Sequence, residues 1–301
     1  MPKEFPGTVL EFEHRFRTKD ACREYLTKLR WPDGVSCPRG HSKGAWRTAR
    51  GLFRCRECKH AASLTAGTIF QDSRLPLRAW FRAAWWMTNQ KSGLSALGLQ
   101  RLLGLGSYET AWTCLHKLRR AMVRLGREQL RGPVEVDELL LGGPRRLRRD
   151  KICVFVAAEI RKDAIGRIRL KRLPNDTEGS IVGAVRELIA PGALLLSDGA
   201  HAYKHTVPHG YLHHRTVVDG KTKKESALTH PRVHRVSSLL KRWLNSVHQG
   251  RPSKKQIDHY LDEFVFRFNR RTSPQRGMLF YRLLQQAVQT PPEPYRKIIA
   301  N

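Results

Sequence analysis

The chain has 301 residues, 40% of them hydrophobic, which is enough to build folded domains and argues against wholesale disorder. Lys and Arg number 56 against 26 Asp and Glu, a formal net charge of +30, so we expect a polyanionic partner such as DNA; no lipidation motif points to a membrane surface instead. The longest apolar run, residues 152–158, is too short to cross a bilayer and no signal peptide is recognisable, so we expect a protein of the reducing cytoplasm.

A short lead-in, residues 1–33, in which Thr18 is predicted to open a helix, precedes a cysteine cluster in residues 34–66. The CREC motif at 55–58 has the C-x-x-C spacing with which two thiolates bind one tetrahedral zinc ion. The CPRGH motif at 37–41 supplies a third thiolate and one imidazole, and His60 is the alternative imidazole. We therefore predict a zinc ribbon, against the alternative of a thiol turn without metal, with the ligands Cys37, His41, Cys55 and Cys58.

Residues 67–130 are predicted to be helical, and within them residues 95–121 have the layout of a helix–turn–helix. A first helix is followed by a glycine turn, a capping Ser107 and a second helix, which is the arrangement that places the second helix in a DNA major groove. The alternative is a plain helical hairpin. The basic side chains that we expect to bind DNA are on the second helix: Lys117, Arg119 and Arg120.

Residues 131–250 alternate short β-like runs with helices, which predicts an α/β domain with a mixed sheet. The predicted strands are 134–141, 152–160, 165–173 and 193–197, and the predicted helices are 177–189 and 231–249. A further helix is predicted at 253–271, in a C-terminal helical segment that we place at 251–301.

Two aspartates lie on or directly after predicted strands. Asp137 is inside the first strand, and Asp198 follows the apolar run that ends at Ser197. Carboxylates placed in this way can converge on hard divalent cations, which can activate water or a 3′-hydroxyl and stabilise the leaving oxygen of a phosphodiester. The alternative is that each aspartate only caps a turn.

The predicted helix after Pro231 carries a third candidate. Its apolar stripe leaves His234 and Lys241 on a neighbouring polar stripe, because steps of three and four residues stay on one helical face. A nitrogen ligand and a cation two turns apart suit a metal-and-phosphate site. The alternative is an ordinary exposed polar face.

Taken in order, several motifs make the chain resemble the zinc-ribbon insertion-sequence transposases of family fifteen-ninety-five, the ISXO-type group. The resemblance runs nearly end to end. Its carriers are RWPDG (30–34), TAGTIF (65–70), ALGLQR (96–101), GLGSY (104–108), VEVDE (134–138), SDG (197–199), LKRWL (240–244), HQG (248–250) and YLDEFVFRFNRR (260–271).

This resemblance implies an RNase H-like catalytic domain of the Asp-Asp-Glu class, which cuts DNA at the terminal inverted repeats of an element and joins the ends to target DNA. Asp137 matches the first catalytic aspartate and Asp198 the second. The third acid of the family lies seven residues before a basic residue; Lys241 fits that basic position, which puts His234 at the acid position. The implied cofactors are Mg²⁺ or Mn²⁺ besides zinc. The implied setting is a prokaryotic nucleoid, with a homo-oligomer when two ends are brought together.

The chain departs from the family pattern at three places. The ribbon lacks one usual cysteine, Leu139 and Leu140 replace polar and aromatic residues after the first Asp-Glu, and Ala200-His201 replace a frequent Trp. These departures favour a weakened or decayed element, and two rival functions stay open. One is a weakened zinc-ribbon and helix–turn–helix regulator that binds DNA without cutting it, and the other is a nuclease that leaves breaks without joining them.

Overall fold

The computed structural model describes residues 4–41, 44–124, 126–142, 151–162, 164–198, 201–216, 229–248 and 253–300. The chain divides into two compact units, one that combines Met1–Arg124 with Ser273–Asn301 and one that spans Leu125–Thr272. The predicted C-terminal segment, 251–301, is therefore divided between the two units. No helix among the described residues is long and apolar enough to span a membrane.

Helices and a small sheet build the first unit. Its helices are α1 (Val9–Arg15), α2 (Lys19–Arg30), α3 (Leu77–Asn89), α4 (Ala96–Leu103), α5 (Tyr108–Arg120), and, from the end of the chain, α9 (Gly277–Ala287) and α10 (Tyr295–Ala300). Helix α1 was not predicted, whereas α2 begins where the sequence indicates: the side chain of Thr18 accepts a hydrogen bond from the backbone N–H of Ala21 at 3.1 Å.

An aromatic cluster holds the helices of this unit together. The ring of Phe280, on α9, lies with its centroid within 6.4 Å of five other aromatic rings: Phe12, Phe16, Tyr25, Phe81 and Trp85. Aromatic side chains bury large apolar areas and add edge-to-face contacts. This cluster is why the end of the chain packs with its beginning.

The helix–turn–helix layout is present as α4 and α5. Ser95 caps α4 by accepting a hydrogen bond from the backbone N–H of Gly98 at 3.0 Å. Gly104 ends α4 with a φ of +62°, the left-handed conformation that a glycine adopts without strain. Ser107 precedes α5 as predicted, although its side chain makes no capping hydrogen bond.

A five-stranded mixed sheet forms the centre of the second unit. Its strands are β4 (Pro133–Leu141), β5 (Ile152–Arg161), β6 (Ala164–Leu173), β7 (Leu194–Ser197) and β8 (Leu212–Arg215), in the order β6-β5-β4-β7-β8. The first three pair antiparallel, and β7 and β8 add in parallel. Three antiparallel strands followed by two parallel strands in the order 3-2-1-4-5 is the RNase H-like arrangement, as predicted.

Helices cover both faces of this sheet. Helices α7 (Pro231–His248) and α8 (Ile257–Phe268) pack on one face, and α6 (Glu178–Leu188) and a 3-10 helix (His201–His209) on the other. The observed strands β4 to β7 and the helices α6 and α7 begin and end within one residue of the predicted elements. Residue 249, the last residue of the helix predicted at 231–249, lies outside the described residues. Strand β8, the 3-10 helix and the shorter span of α8 were not predicted.

Candidate active site and zinc centre

The small sheet of the first unit carries the cysteine cluster. Strands β1 (Ala45–Arg47), β2 (Phe53–Cys55) and β3 (Ala61–Ala62) pair antiparallel. Each cysteine motif makes a tight turn with a positive φ: +82° at Gly40 inside the CPRGH motif, and +58° at Lys59 directly after the CREC motif. These turns bring the predicted ligand atoms together, because the ligand atoms of Cys37, His41, Cys55 and Cys58 all lie within 4.8 Å of one another.

The distances in this cluster fit a tetrahedral ion. The Cys37 Sγ atom lies 3.6 Å from the Cys58 Sγ atom and 3.5 Å from the His41 Nδ1 atom. Ligand bonds of about 2.3 Å to sulfur give tetrahedral edges of about 3.8 Å. The histidine that joins the cluster is His41, whereas the backbone carbonyl of His60 accepts a hydrogen bond from the N–H of Cys55. The donor set of three thiolates and one imidazole therefore suits a structural zinc ion.

The pairing of β4 with β7 places Asp137 and Asp198 at equivalent positions along two neighbouring chain segments. Strands β4 and β7 are parallel neighbours in which Glu135 is paired with Leu196. Asp137 lies two residues after Glu135, and Asp198 lies two residues after Leu196. Side chains two residues apart on a strand share a face, so the register directs both carboxylates to the same side of the sheet.

The pKa of Asp137 reflects both its burial and the charge of the Asp198 carboxylate. Burial raises the pKa of Asp137 to about 6, and the carboxylate of Asp198 adds to the rise, while the backbone N–H of Glu138 and the ammonium of Lys241 oppose it. A carboxylate held near a second carboxylate in a partly buried place gains from a cation between them. The two residues fit a divalent cation for this reason.

His234 lies beside Asp137. Its Nδ1 atom is 3.8 Å from the Asp137 Oδ2 atom, and its side chain is 39% exposed. Asp137, Asp198 and His234 do not, however, form a compact ligand set like that of the ribbon, which is the sole such set within the described part of the chain. The structure thus brings His234 next to one aspartate without gathering all three donors around one point.

Glu138 lies on the opposite face of β4, as the strand alternation predicts. Its carboxylate accepts a hydrogen bond from the hydroxyl of Tyr203, which is fully buried. Burial raises the pKa of Glu138 to about 7, although the Tyr203 hydrogen bond opposes the rise. No local sequence pattern points to Tyr203, because 65 residues separate it from Glu138.

The predicted DNA-binding residues of α5 are less accessible than the sequence suggests. Arg119 is only 2% exposed, since it lies one turn after the buried Leu115 on the face of α5 that packs into the core. The structure therefore removes Arg119 from the predicted set. Arg120 forms an ion pair with the buried Glu293, and Lys117 is half-buried in a cavity of about 550 Å³ that Glu293 also lines.

A basic stretch of β6 is also engaged within its own unit. Arg167 pairs with Glu159, with 2.7 Å between Nη2 and Oε1, and Arg172 pairs with Asp258 at 3.1 Å. Arg169 is buried, and Lys171 pairs with Glu187. These residues are already partnered by protein groups. Residues 143–150, and Ala200 among the departures, lie outside the described residues.

Replacing Asp137 by asparagine is expected to stabilise the protein when no divalent cation other than zinc is present. The folded carboxyl binds its proton more tightly than the unfolded one, so the free energy of unfolding falls as the pH rises from about 4 to about 6. Asparagine stays neutral, so Asp137→Asn should gain on the order of 2 kcal/mol at pH 8 and little at pH 4. Denaturant unfolding at both pH values measures this gain.

The matched control for that measurement is Asp258→Asn, which removes a half-exposed carboxylate of the same unit. An exposed ion pair contributes little, so this variant should show no comparable gain at pH 8. An Asp137→Asn protein less stable than the wild type at pH 8 would contradict the electrostatic description of the site.

Known transposase domains match both the region of the cysteine cluster and the domain that carries Asp137 and Asp198. An ISXO2-like transposase domain matches residues 129–269, and a transposase zinc-ribbon domain matches residues 17–61, which includes α2. A protein of the transposable element ISH50 of Halobacterium salinarum is 26% identical over 268 residues, covering 80% of this chain and 88% of that protein.

One solved structure is also similar. It is the cryo-EM structure of a simian T-cell lymphotropic virus intasome in complex with the PP2A regulatory subunit B56 gamma, with 14% identity, a TM-score of 0.33, and coverage of 66% of this chain and 72% of that chain. A TM-score this low supports no argument about fold or function.

Proposed function

Because the chain belongs to the insertion-sequence transposase family whose ISXO2-like domain and zinc ribbon it carries, we propose that it cuts DNA at the terminal inverted repeats of its element and joins the ends to target DNA. The observation that carries this proposal is the position of Asp137 and Asp198 at one level of the adjacent strands β4 and β7. Two copies acting on the two ends of the element form the working assembly.

Within the site, the side chains have different tasks. Asp137 and Asp198 supply hard oxygen ligands, and His234 supplies a nitrogen ligand next to Asp137. Divalent cations bound there, Mg²⁺ or Mn²⁺, would activate water or a 3′-hydroxyl and stabilise the leaving oxygen. Lys241, exposed two turns after His234, holds a DNA phosphate beside the reacting bond.

In the first unit, one zinc ion bound by Cys37, His41, Cys55 and Cys58 stabilises the ribbon. The exposed beginning of α5, with Tyr108 and Thr110, together with the exposed Arg101 of α4, contacts the duplex. The first residues of the second helix are those that reach base edges in helix–turn–helix proteins. Arg120 reaches DNA only if its ion pair with Glu293 breaks, and Lys117, which lines the same cavity as Glu293, is half-buried.

DNA binding by the full chain is expected to weaken steeply with salt. The net charge of +30 implies several phosphate contacts, and each contact releases condensed counterions. For six or more contacts, the affinity for a terminal-repeat duplex should fall on the order of 10³-fold between 50 and 200 mM salt. Fluorescence anisotropy titrations measure this fall, and an affinity that stays nearly constant would contradict the phosphate-dominated interface.

Activity with Mn²⁺ is expected to exceed activity with Mg²⁺, because the imidazole of His234 suits transition metal ions better than Mg²⁺. His234→Glu should shift the ratio of the two activities towards Mg²⁺ by about tenfold or more, since changing even the hydrogen-bond partner of a metal ligand alters affinity or activity by about 10- to 100-fold. Cleavage rates measured in both metals give the ratio. If His234→Ala keeps most of the activity and the same metal preference, His234 is not a ligand.

The proposed function is tested with a terminal-repeat duplex, a target plasmid and Mn²⁺. A transposase leaves a 3′-hydroxyl end and then a joined product. A nuclease gives breaks without joining, and a regulator binds the duplex without cleaving it. Product analysis on sequencing gels separates the three outcomes.

Lys241→Ala should weaken binding of the terminal-repeat duplex more than binding of Mn²⁺, because Lys241 is proposed to hold a DNA phosphate and not the metal ion.

A further inference from the structure

Glu135 is a buried carboxylate on the strand that carries Asp137. It lies two residues before Asp137, so it shares the same face of β4, and it is only 3% exposed. Removing a carboxylate from water costs several kcal/mol unless partners replace the lost hydration. The residue must therefore be paired with good geometry, and its partners indicate its role.

Within the described residues, the hydrogen-bond partners of Glu135 lie in the first turn of α7. Its Oε2 atom accepts hydrogen bonds from the backbone N–H groups of Arg232, at 2.7 Å, and Val233, at 3.0 Å. Its Oε1 atom accepts a third from Nη1 of Arg232 at 2.9 Å. The first N–H groups of a helix have no acceptor within the helix, and a negative charge there is favourable. Pro231 has no N–H, so Glu135 binds the first two donors that α7 offers.

These hydrogen bonds connect β4, the strand that carries Asp137, directly to α7, the helix that carries His234. His234 directly follows Val233 on the helix, and Asp137 is two residues from Glu135 on the strand. Short, regular backbone segments therefore hold the backbone of His234 close to that of Asp137, and the His234 Nδ1 atom lies 3.8 Å from the Asp137 Oδ2 atom. The apolar contacts of α7, such as those of Val236 and Leu240, attach the helix to the sheet without such directional control.

From these contacts we infer that Glu135 is a positioning residue of the active site: it sets α7, and with it His234 and Lys241, relative to Asp137. The inference rests on the proposed function for its catalytic consequence. A displacement of about 1 Å in a reacting group can lower a rate on the order of 100-fold. Glu135→Gln keeps an acceptor for the backbone N–H groups but removes the charge that binds Arg232 and favours the helix terminus.

The matched control is Glu159→Gln. Glu159 is also buried, at 4% exposure, and its carboxylate accepts hydrogen bonds from the backbone N–H, Nε and Nη2 of Arg167 within the same unit. Both variants remove the charge of a buried carboxylate paired with an arginine. Only Glu135 contacts the helix that carries His234.

The experiment measures thermal stability, Mn²⁺ affinity by electron paramagnetic resonance, and the cleavage rate at saturating DNA and Mn²⁺, all on the full chain. We expect both variants to lose comparable stability, but only Glu135→Gln should bind Mn²⁺ at least 10-fold more weakly and cleave 10- to 100-fold more slowly. Equal Mn²⁺ affinity and equal rates for the two variants would overturn the inference.

A second variant covers the case in which Glu135→Gln does not fold, and the behaviour of the wild type separates this inference from the proposed function. If Glu135→Gln does not fold, Arg232→Met is the second variant: it removes the guanidinium contacts to Glu135 and to the backbone carbonyl of Lys162, and it keeps both backbone N–H groups that Glu135 binds. It should lower Mn²⁺ affinity and rate in the same direction but by less than Glu135→Gln, and unchanged Mn²⁺ affinity in that variant overturns the inference. If the wild type binds Mn²⁺ but does not cleave, the proposed function fails, while the comparison of Mn²⁺ affinities still decides the role of Glu135. A wild type that binds no Mn²⁺ overturns both.

Discussion

Asp137→Ala is expected to abolish cleavage and joining of terminal-repeat DNA while leaving the chain folded. The change removes a hard oxygen ligand, and metal stabilisation of transition-state charge is worth several kcal/mol, so the rate should fall on the order of 10³-fold or more. No substitute is at hand, because the adjacent Glu138 faces the other side of β4 and is bound to Tyr203. Asp198→Ala should have the same effect.

Folding should survive the first of these changes for an electrostatic reason. Burial and the charge of Asp198 disfavour the ionised form of Asp137, so removing the carboxylate relieves an unfavourable interaction rather than a stabilising one. The measurement is a gel assay of cleaved and joined strands, beside circular dichroism and thermal unfolding.

Asp258→Asn is the control here too, since it removes an acid of the same unit that pairs with Arg172 away from the aspartates. It should cleave at the wild-type rate. If Asp137→Ala also cleaves at that rate, the active site has been assigned to the wrong residues.

Cys55→Ser is expected to remove zinc from the protein and to loosen the ribbon. Binding of structural zinc contributes folding energy directly, on the order of 10 kcal/mol in small zinc domains. The ribbon has little else to hold it, because its strands are two or three residues long. The zinc content should fall from one ion per chain to near zero, and amide hydrogen exchange across residues 34–66 should rise strongly.

Cys153→Ala is the matched control, because it removes a buried cysteine of β5 that is not in the cluster. It should keep one zinc ion per chain and normal protection of the ribbon. Elemental analysis of reduced, carefully prepared protein decides the matter, and a wild type without zinc would refute the ligand assignment.

Much of the site could be predicted from local patterns. The C-x-x-C spacing predicted the cluster of Cys37, His41, Cys55 and Cys58 that the structure gathers, because two thiolates three residues apart can share one ion through a single turn. The alternation along β4 correctly separated Asp137 from Glu138, since successive side chains on a strand point to opposite faces. Apolar runs and caps fixed most strands and α2, because these signals act within a few residues of chain.

Other features required the tertiary structure, because they join residues that are remote in sequence. Asp137 and Asp198 lie on the same side of the sheet because β7 pairs in parallel with β4. Arg119 is buried because α5 turns that side chain towards the core, and a basic residue in a pattern looks the same whether it faces water or protein. The bond from Glu135 to the first turn of α7 spans 97 residues between Glu135 and Arg232. Local sequence specifies periodicity and turns, whereas packing of distant elements decides which side chains converge and which charges remain free to bind DNA.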